Sequence, residues 1–205
     1  MPNALILYGG WPGHQPERFA ALAKDRLFDG FDVEITSDLA VLESSDLNQR
    51  DLILPVWTQG ELIWKQEQGV LQAIEEGTGL VGFHGTADAF RGNPNFHFLL
   101  GGSFTAHPGD MVEYTVHITS QTDPITSGFS DFQVRSEQYY MLVAPDNEVL
   151  ATTTSVLSPV RGLPEPSCRW RGNAAGDVAA SSIVRSVTLR RSGTSQKHEH
   201  SCSAE

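Results

Sequence analysis

Three short apolar runs constrain the fold of this chain more than anything else in it: ALILYGG (residues 4–10), DLILPVW (51–57) and GLVGFHG (79–85). Each is continuous over too few residues for a helix and ends in glycine or a polar loop, the pattern of a strand buried on both faces. Between them lie PERFAALAKDRLFDG (16–30), with Pro16 at a helix start and Gly30 past its end, and FDVEITSD (31–38), which alternates as a half-buried strand. LIWKQEQGVLQAIEEG (62–77) places Ile63, Val70, Leu71 and Ile74 on one helical face. Strands alternating with helices of this length predict a mostly parallel sheet covered on both sides, a three-layer α/β sandwich. Ligands in such folds sit beyond the C-terminal strand ends, which here carry the loops GGWPGH, VWTQGEL and FHGTAD.

Farther on, GDMVEYTVHI reads as a strand, TDPITSGF as a turn with a short helix, and SEQYYMLVAP and EVLATTT as two extended pieces. From about residue 155 the character changes. Residues 1–154 hold 7 Lys+Arg against 21 Asp+Glu, whereas residues 155–205 hold 7 against 4 and carry ten serines but no Phe or Tyr. Such a composition struggles to bury the apolar area that folding requires. The expected organisation is one α/β domain over 1–154 and a separate, irregular tail over 155–205.

Composition narrows the function. At 40% hydrophobic and 19% charged residues the chain is an ordinary globular sequence, and no apolar run approaches a membrane span of roughly 20 residues. MPNALILYGGW has no basic lead before its apolar stretch, so it reads as a first strand and the cytoplasm is the expected location. A net charge of −11 repels phosphate backbones and anionic lipid, so neither nucleic acid nor membrane is the expected partner. A neutral small molecule is, and a homo-oligomer is compatible with the sequence. Both cysteines, Cys168 and Cys202, fall in the tail, so no thiol serves the main body.

The segment GLVGFHGTADAF turns from a strand toward a helix at His84, between Gly82 and Gly85. A histidine in such a corner can act as acid or base near neutral pH, or ligate a metal through a neutral nitrogen. Asp88, four residues on, is placed to orient it. His14 and His107 lie in Gly-rich loops expected at the same sheet edge, and Glu137 with Tyr139 and Tyr140 offers a carboxylate and a stacking surface. For His97, His117, His198 and His200 an ordinary hydrogen-bonded role is the better reading. The expected catalytic residues are therefore His84, Asp88 and His107, with Trp11, His14, Trp57, Glu137 and Tyr139 as substrate contacts. Zinc or another divalent metal on His14, His84 and His107 is an alternative. No HExxH is present and the one HxH pair, His198 and His200, lies in the tail, so a metal-free polar site is preferred.

GGWPGH, QGEL, GLVGFHGTADAF, LLGGSFTAHP, DPITSGF and SEQYYM, in that order and spacing, resemble the trehalose-utilisation (ThuA-like) family over residues 3–154. The resemblance implies the flavodoxin-like, class I glutamine amidotransferase-like fold. It also implies a role in carbohydrate utilisation, with trehalose-like or keto-disaccharide sugars as substrates. In glutamine amidotransferases the corner residue would be Cys; here His84 or Gly85 occupies it, so glutamine hydrolysis has no nucleophile. Three readings compete: an enzyme using acid–base chemistry on a sugar, a non-catalytic sugar- or partner-binding module, and a nonfunctional frameshifted product.

The third reading arises because the resemblance implies a closing segment like GRVFYxSLGH, which is missing. Arg185 to Arg191, RSVTLRR, is encodable by codons that read SLGHVAA when taken one base earlier. Permissible codons upstream and downstream extend the family-like ending, which makes an out-of-frame translation from about residue 155 the expectation. Sequencing the gene across codons 150–160 is expected to reveal one inserted or deleted base. A neighbouring frame that runs into stop codons would establish the tail as genuine.

Overall fold

The computed structural model describes residues 1–154 apart from residue 146. The readings made for the tail, Cys168, Cys202, His198 and His200 fall outside the described residues.

The three apolar runs become β1 (Asn3–Gly10), β3 (Leu52–Thr58) and β4 (Gly79–Leu80), joined by β2 (Asp32–Thr36) in a parallel sheet of order β2-β1-β3-β4. Period-two alternation splits β1 between two cores. Ala4 and Ile6 pack with Leu54, Val56 and the small residues Ala20 and Ala23 of α1 (Pro16–Leu27). Leu5 and Leu7 pack with Ile53, with Val70, Ala73 and Ile74 of α2 (Trp64–Glu75), and with Phe96 and Leu100 of α3 (Pro94–Leu100). One helix layer thus lies on each face, giving a three-layer α/β sandwich. No helix of the described residues is long and apolar enough to cross a membrane.

Beyond α3 the chain turns antiparallel: β5 (Gly102–Ala106) pairs β8 (Tyr140–Val143), while β6 (Met111–Ile118) pairs both β7 (Phe132–Glu137) and β9 (Ala151–Thr152).

Four expectations need correction. Ile63 is not on the buried face of α2: it caps the helix before the helical phase begins and is 59% exposed, and the inward face is Glu67, Val70, Ala73 and Ile74. GLVGFHG is strand only at Gly79–Leu80, and a short 3-10 turn, His84–Asp88, follows in place of an α-helical start. SEQYYMLVAP is not one extended piece. It breaks at Gln138, whose buried amide donates to Thr153 Oγ1 at 2.9 Å and to the Thr154 carbonyl at 2.8 Å, so that β7 and β8 enter different sheets. TDPITSGF forms turns without a helix: the Asp123 carboxylate accepts the Ile125 N–H, and Gly128 ends the segment at φ 84°.

At the end of β1 the backbone is crowded. Gly10 has φ 78°, and a Cβ there would lie 1.9 Å from the Thr58 carbonyl oxygen, which accepts the Trp11 N–H at 3.0 Å. Gly10→Ala would add left-handed strain of about 1–3 kcal/mol to a backbone overlap that cannot relax within the sheet. Urea denaturation is expected to show a loss of at least that size, and an unchanged midpoint would contradict the crowding.

Candidate functional site

Five side chains from five segments meet beyond the C-terminal ends of β1, β3 and β4. His14 arrives on a 3-10 turn, Pro12–His14, tethered by the Trp11–Thr58 backbone bond. Its Nδ1 shares a 2.8 Å hydrogen bond with Oγ1 of Thr58, a buried residue at the end of β3. His84 stands at the corner after β4 with φ 46°, a left-handed backbone that a non-glycine residue adopts rarely and at a cost. Gly85 makes room beside it: a Cβ there would fall 2.0 Å from Thr58 Oγ1 and 3.1 Å from His14 Nδ1. The corner therefore has the strained geometry of a nucleophile elbow and carries an imidazole.

The other half of the site comes from the antiparallel segment. Glu137 ends β7 opposite Met111, Tyr139 precedes β8, and His107 follows β5 where Ala106 pairs Tyr140. His14 and His84 have ring centroids 4.7 Å apart, and the Tyr139 ring stacks on His84 at 5.0 Å. The Tyr139 hydroxyl lies 3.2 Å from His84 Nε2, and Glu137 Oε2 lies 3.4 Å from the same nitrogen. His107 Nδ1 faces the other oxygen of Glu137 at 4.0 Å. Phe104 packs edge-on to Tyr139, with the Arg91 guanidinium 5.2 Å from its ring centroid.

These neighbours set the protonation states. Burial holds the His84 imidazole below its ordinary pKa, reinforced by His14 and opposed by Glu137. Burial also pushes the Tyr139 phenol well above its usual range, and the Glu137 charge adds to the effect. At neutral pH the pair is a neutral imidazole beside a phenol that keeps its proton, so the hydroxyl can donate to a lone pair on Nε2.

The structure brings together His14, His84, His107, Glu137 and Tyr139, with Trp11 47% exposed and edge-on to His14 at 4.7 Å. The remaining two expected residues have other partners, although the Asp88 charge still helps to raise the Tyr139 pKa. Asp88 does not orient His84: its carboxylate pairs with Arg91, one turn along, and its carbonyl accepts the Gln59 N–H. Trp57 packs against the core beside Phe90, ring centroids 5.6 Å apart, because its position in β3 points it to the face opposite Thr58. Thr58 is the site residue that sequence reasoning missed. Its signal is the strand-end position in VWTQGEL, where the neighbouring tryptophan is the more conspicuous residue.

For metal ligation the grouping also shifts. One ring nitrogen each from His14 and His84 and one oxygen of Glu137 lie within 4.8 Å of one another, so Glu137 takes the place expected of His107.

The fold and the site together are an α/β sandwich with a histidine, carboxylate and phenol cluster at the C-terminal edge of its parallel sheet, and no cysteine lies among the described residues. The sequence profile of ThuA, described as trehalose utilisation, matches residues 3–177, and the chain belongs to that family. A ThuA-like protein from Bacteroides uniformis shares 26% identity and a TM-score of 0.63 over 75% of this chain and 68% of that one. A ThuA-like protein from Parabacteroides merdae has the same fold at 16% identity and a TM-score of 0.62, again over 75% and 68%. A glutamine amidotransferase from Thermotoga maritima aligns at 12% identity and a TM-score of 0.45, over 74% and 66%. No curated protein matches the chain.

The His84 environment makes a spectroscopic prediction for metal-free protein. Because burial outweighs the nearby carboxylate, the ring is expected to titrate below the ordinary value of 6.5 and to be neutral at pH 7. A midpoint at or above 6.5 in an NMR pH titration would show that Glu137 dominates instead.

Proposed function

We propose that the protein works in carbohydrate utilisation as an enzyme on trehalose-like or keto-disaccharide sugars, through acid–base chemistry at the cluster around His84. The observation that carries this reading is the meeting of Tyr139 Oη and Glu137 Oε2 at His84 Nε2, 3.2 and 3.4 Å away. Proton transfer at a sugar hydroxyl or carbonyl needs one group that accepts and another that donates. A neutral imidazole beside a protonated phenol supplies both. The Trp11 and Phe104 rings offer faces for the apolar side of a sugar, while His107 and Glu137 offer partners for its hydroxyls. A neutral sugar also suits a chain of net charge −11 better than an anionic substrate does.

The test is turnover and calorimetric binding across a panel of trehalose, other disaccharides and their keto derivatives. Turnover of at least one member is expected, falling by about 10²–10⁴-fold in His84→Ala. Binding without turnover that persists in His84→Ala would favour a non-catalytic sugar-binding module. Neither binding nor turnover would remove both readings and leave the frameshifted product.

A further inference from the structure

We infer that His14, His84 and Glu137 together hold a divalent first-row transition-metal ion. The donor set is two imidazoles and one carboxylate, converging within 4.8 Å from three segments distant in sequence. Two histidines and one carboxylate form a recurrent triad for zinc and for non-haem iron, and three protein ligands leave a position open to water or substrate. The spacing suits it. Two ligands about 2.1 Å from a tetrahedral ion lie about 3.4 Å apart, and His84 Nε2 to Glu137 Oε2 is 3.4 Å.

Each donor is also held from behind. The Thr58 hydroxyl bonds Nδ1 of His14, the arrangement by which a neighbour sets the orientation and tautomer of a ligating imidazole. His84 is aimed by its left-handed corner, with Gly85 leaving space for the His14–Thr58 pair. Glu137 is fixed by the β6–β7 ladder, and its second oxygen faces His107 Nδ1, a buried atom with no hydrogen-bond partner among the described residues. A fortuitous contact of two histidines does not call for these supports, whereas a site that must keep its ligands pointed at one spot does.

For the nature of the substrate, and for nothing else, the inference rests on the sugar reading. It changes how the cluster works: a ligated His84 acts through the ion, which polarises a bound oxygen, and the mobile protons belong to Tyr139, His107 and a water at the open position.

The experiment uses the full chain after chelator treatment, titrated with Co²⁺ and with Zn²⁺ and followed by calorimetry, visible absorption and elemental analysis. Binding of one ion per chain is expected, together with the absorption of Co²⁺ in a nitrogen and oxygen site. Glu137→Gln, which preserves side-chain shape, and His84→Ala are each expected to lose stoichiometric binding, with circular dichroism reporting whether they fold. Thr58→Val is expected to weaken binding by about 10–100-fold, and His117→Ala, on an exposed histidine away from the cluster, to leave it unchanged. Absence of stoichiometric binding in the parent chain would overturn the inference, and so would binding that survives both Glu137→Gln and His84→Ala. Because no sugar is present, the result is independent of turnover: a chain that binds Co²⁺ but converts no sugar refutes only the sugar reading. Sugar conversion by a chain that binds no metal refutes only this one.

Discussion

Thr58 is the residue on which the arrangement turns. Its carbonyl accepts the Trp11 N–H and so anchors the loop after β1, and its hydroxyl bonds His14 at the far end of that loop. The next residue, Gln59, bonds Asp88 and Phe90 through its backbone and ties down the end of the His84 turn. Two loops are thus fastened to one strand terminus by short bonds in a buried setting, where an unmade bond is costly. The price of this compression appears in the neighbours: Gly10 and Gly85 are places where a Cβ would overlap Thr58 itself.

Around that anchor, the electrostatics of the cluster oppose one another. Two imidazoles at 4.7 Å disfavour a shared positive charge, burial disfavours any charge on His84, and Glu137 pulls the other way. The result is a His84 imidazole held neutral next to Glu137 and to a Tyr139 phenol that keeps its proton. Such a group is poised to accept charge from something brought to it, since it has not neutralised itself internally.

What the sequence made legible follows physical signal strength. Continuous apolar runs flanked by glycine located β1 and β3, and the Pro16–Gly30 punctuation framed α1. The weaker signals misled where two patterns overlapped. Ile63 fits the helical phase as a letter but sits at the cap, where the backbone is not yet helical. Trp57 and Thr58 are adjacent in a strand and therefore face opposite ways, and nothing local says which faces the ligand edge. Asp88 has the right separation from His84 for one helical turn, yet the corner winds as a 3-10 turn and Arg91 takes its carboxylate. The meeting of Glu137 with His84 depends on how the antiparallel segment docks on the sheet, which no short-range pattern encodes.

That docking has a consequence for assembly. His14 and His84 belong to the doubly wound part of the chain, whereas His107, Glu137 and Tyr139 lie on strands that follow it. Contacts spanning 55 residues, such as Tyr139 to His84, close only after the loop entropy between them has been overcome. A nascent chain folded through its parallel sheet alone would present two histidines and no carboxylate. The cluster would be completed last, as the final strands settle, and an intermediate released early would lack half of the cluster's side chains.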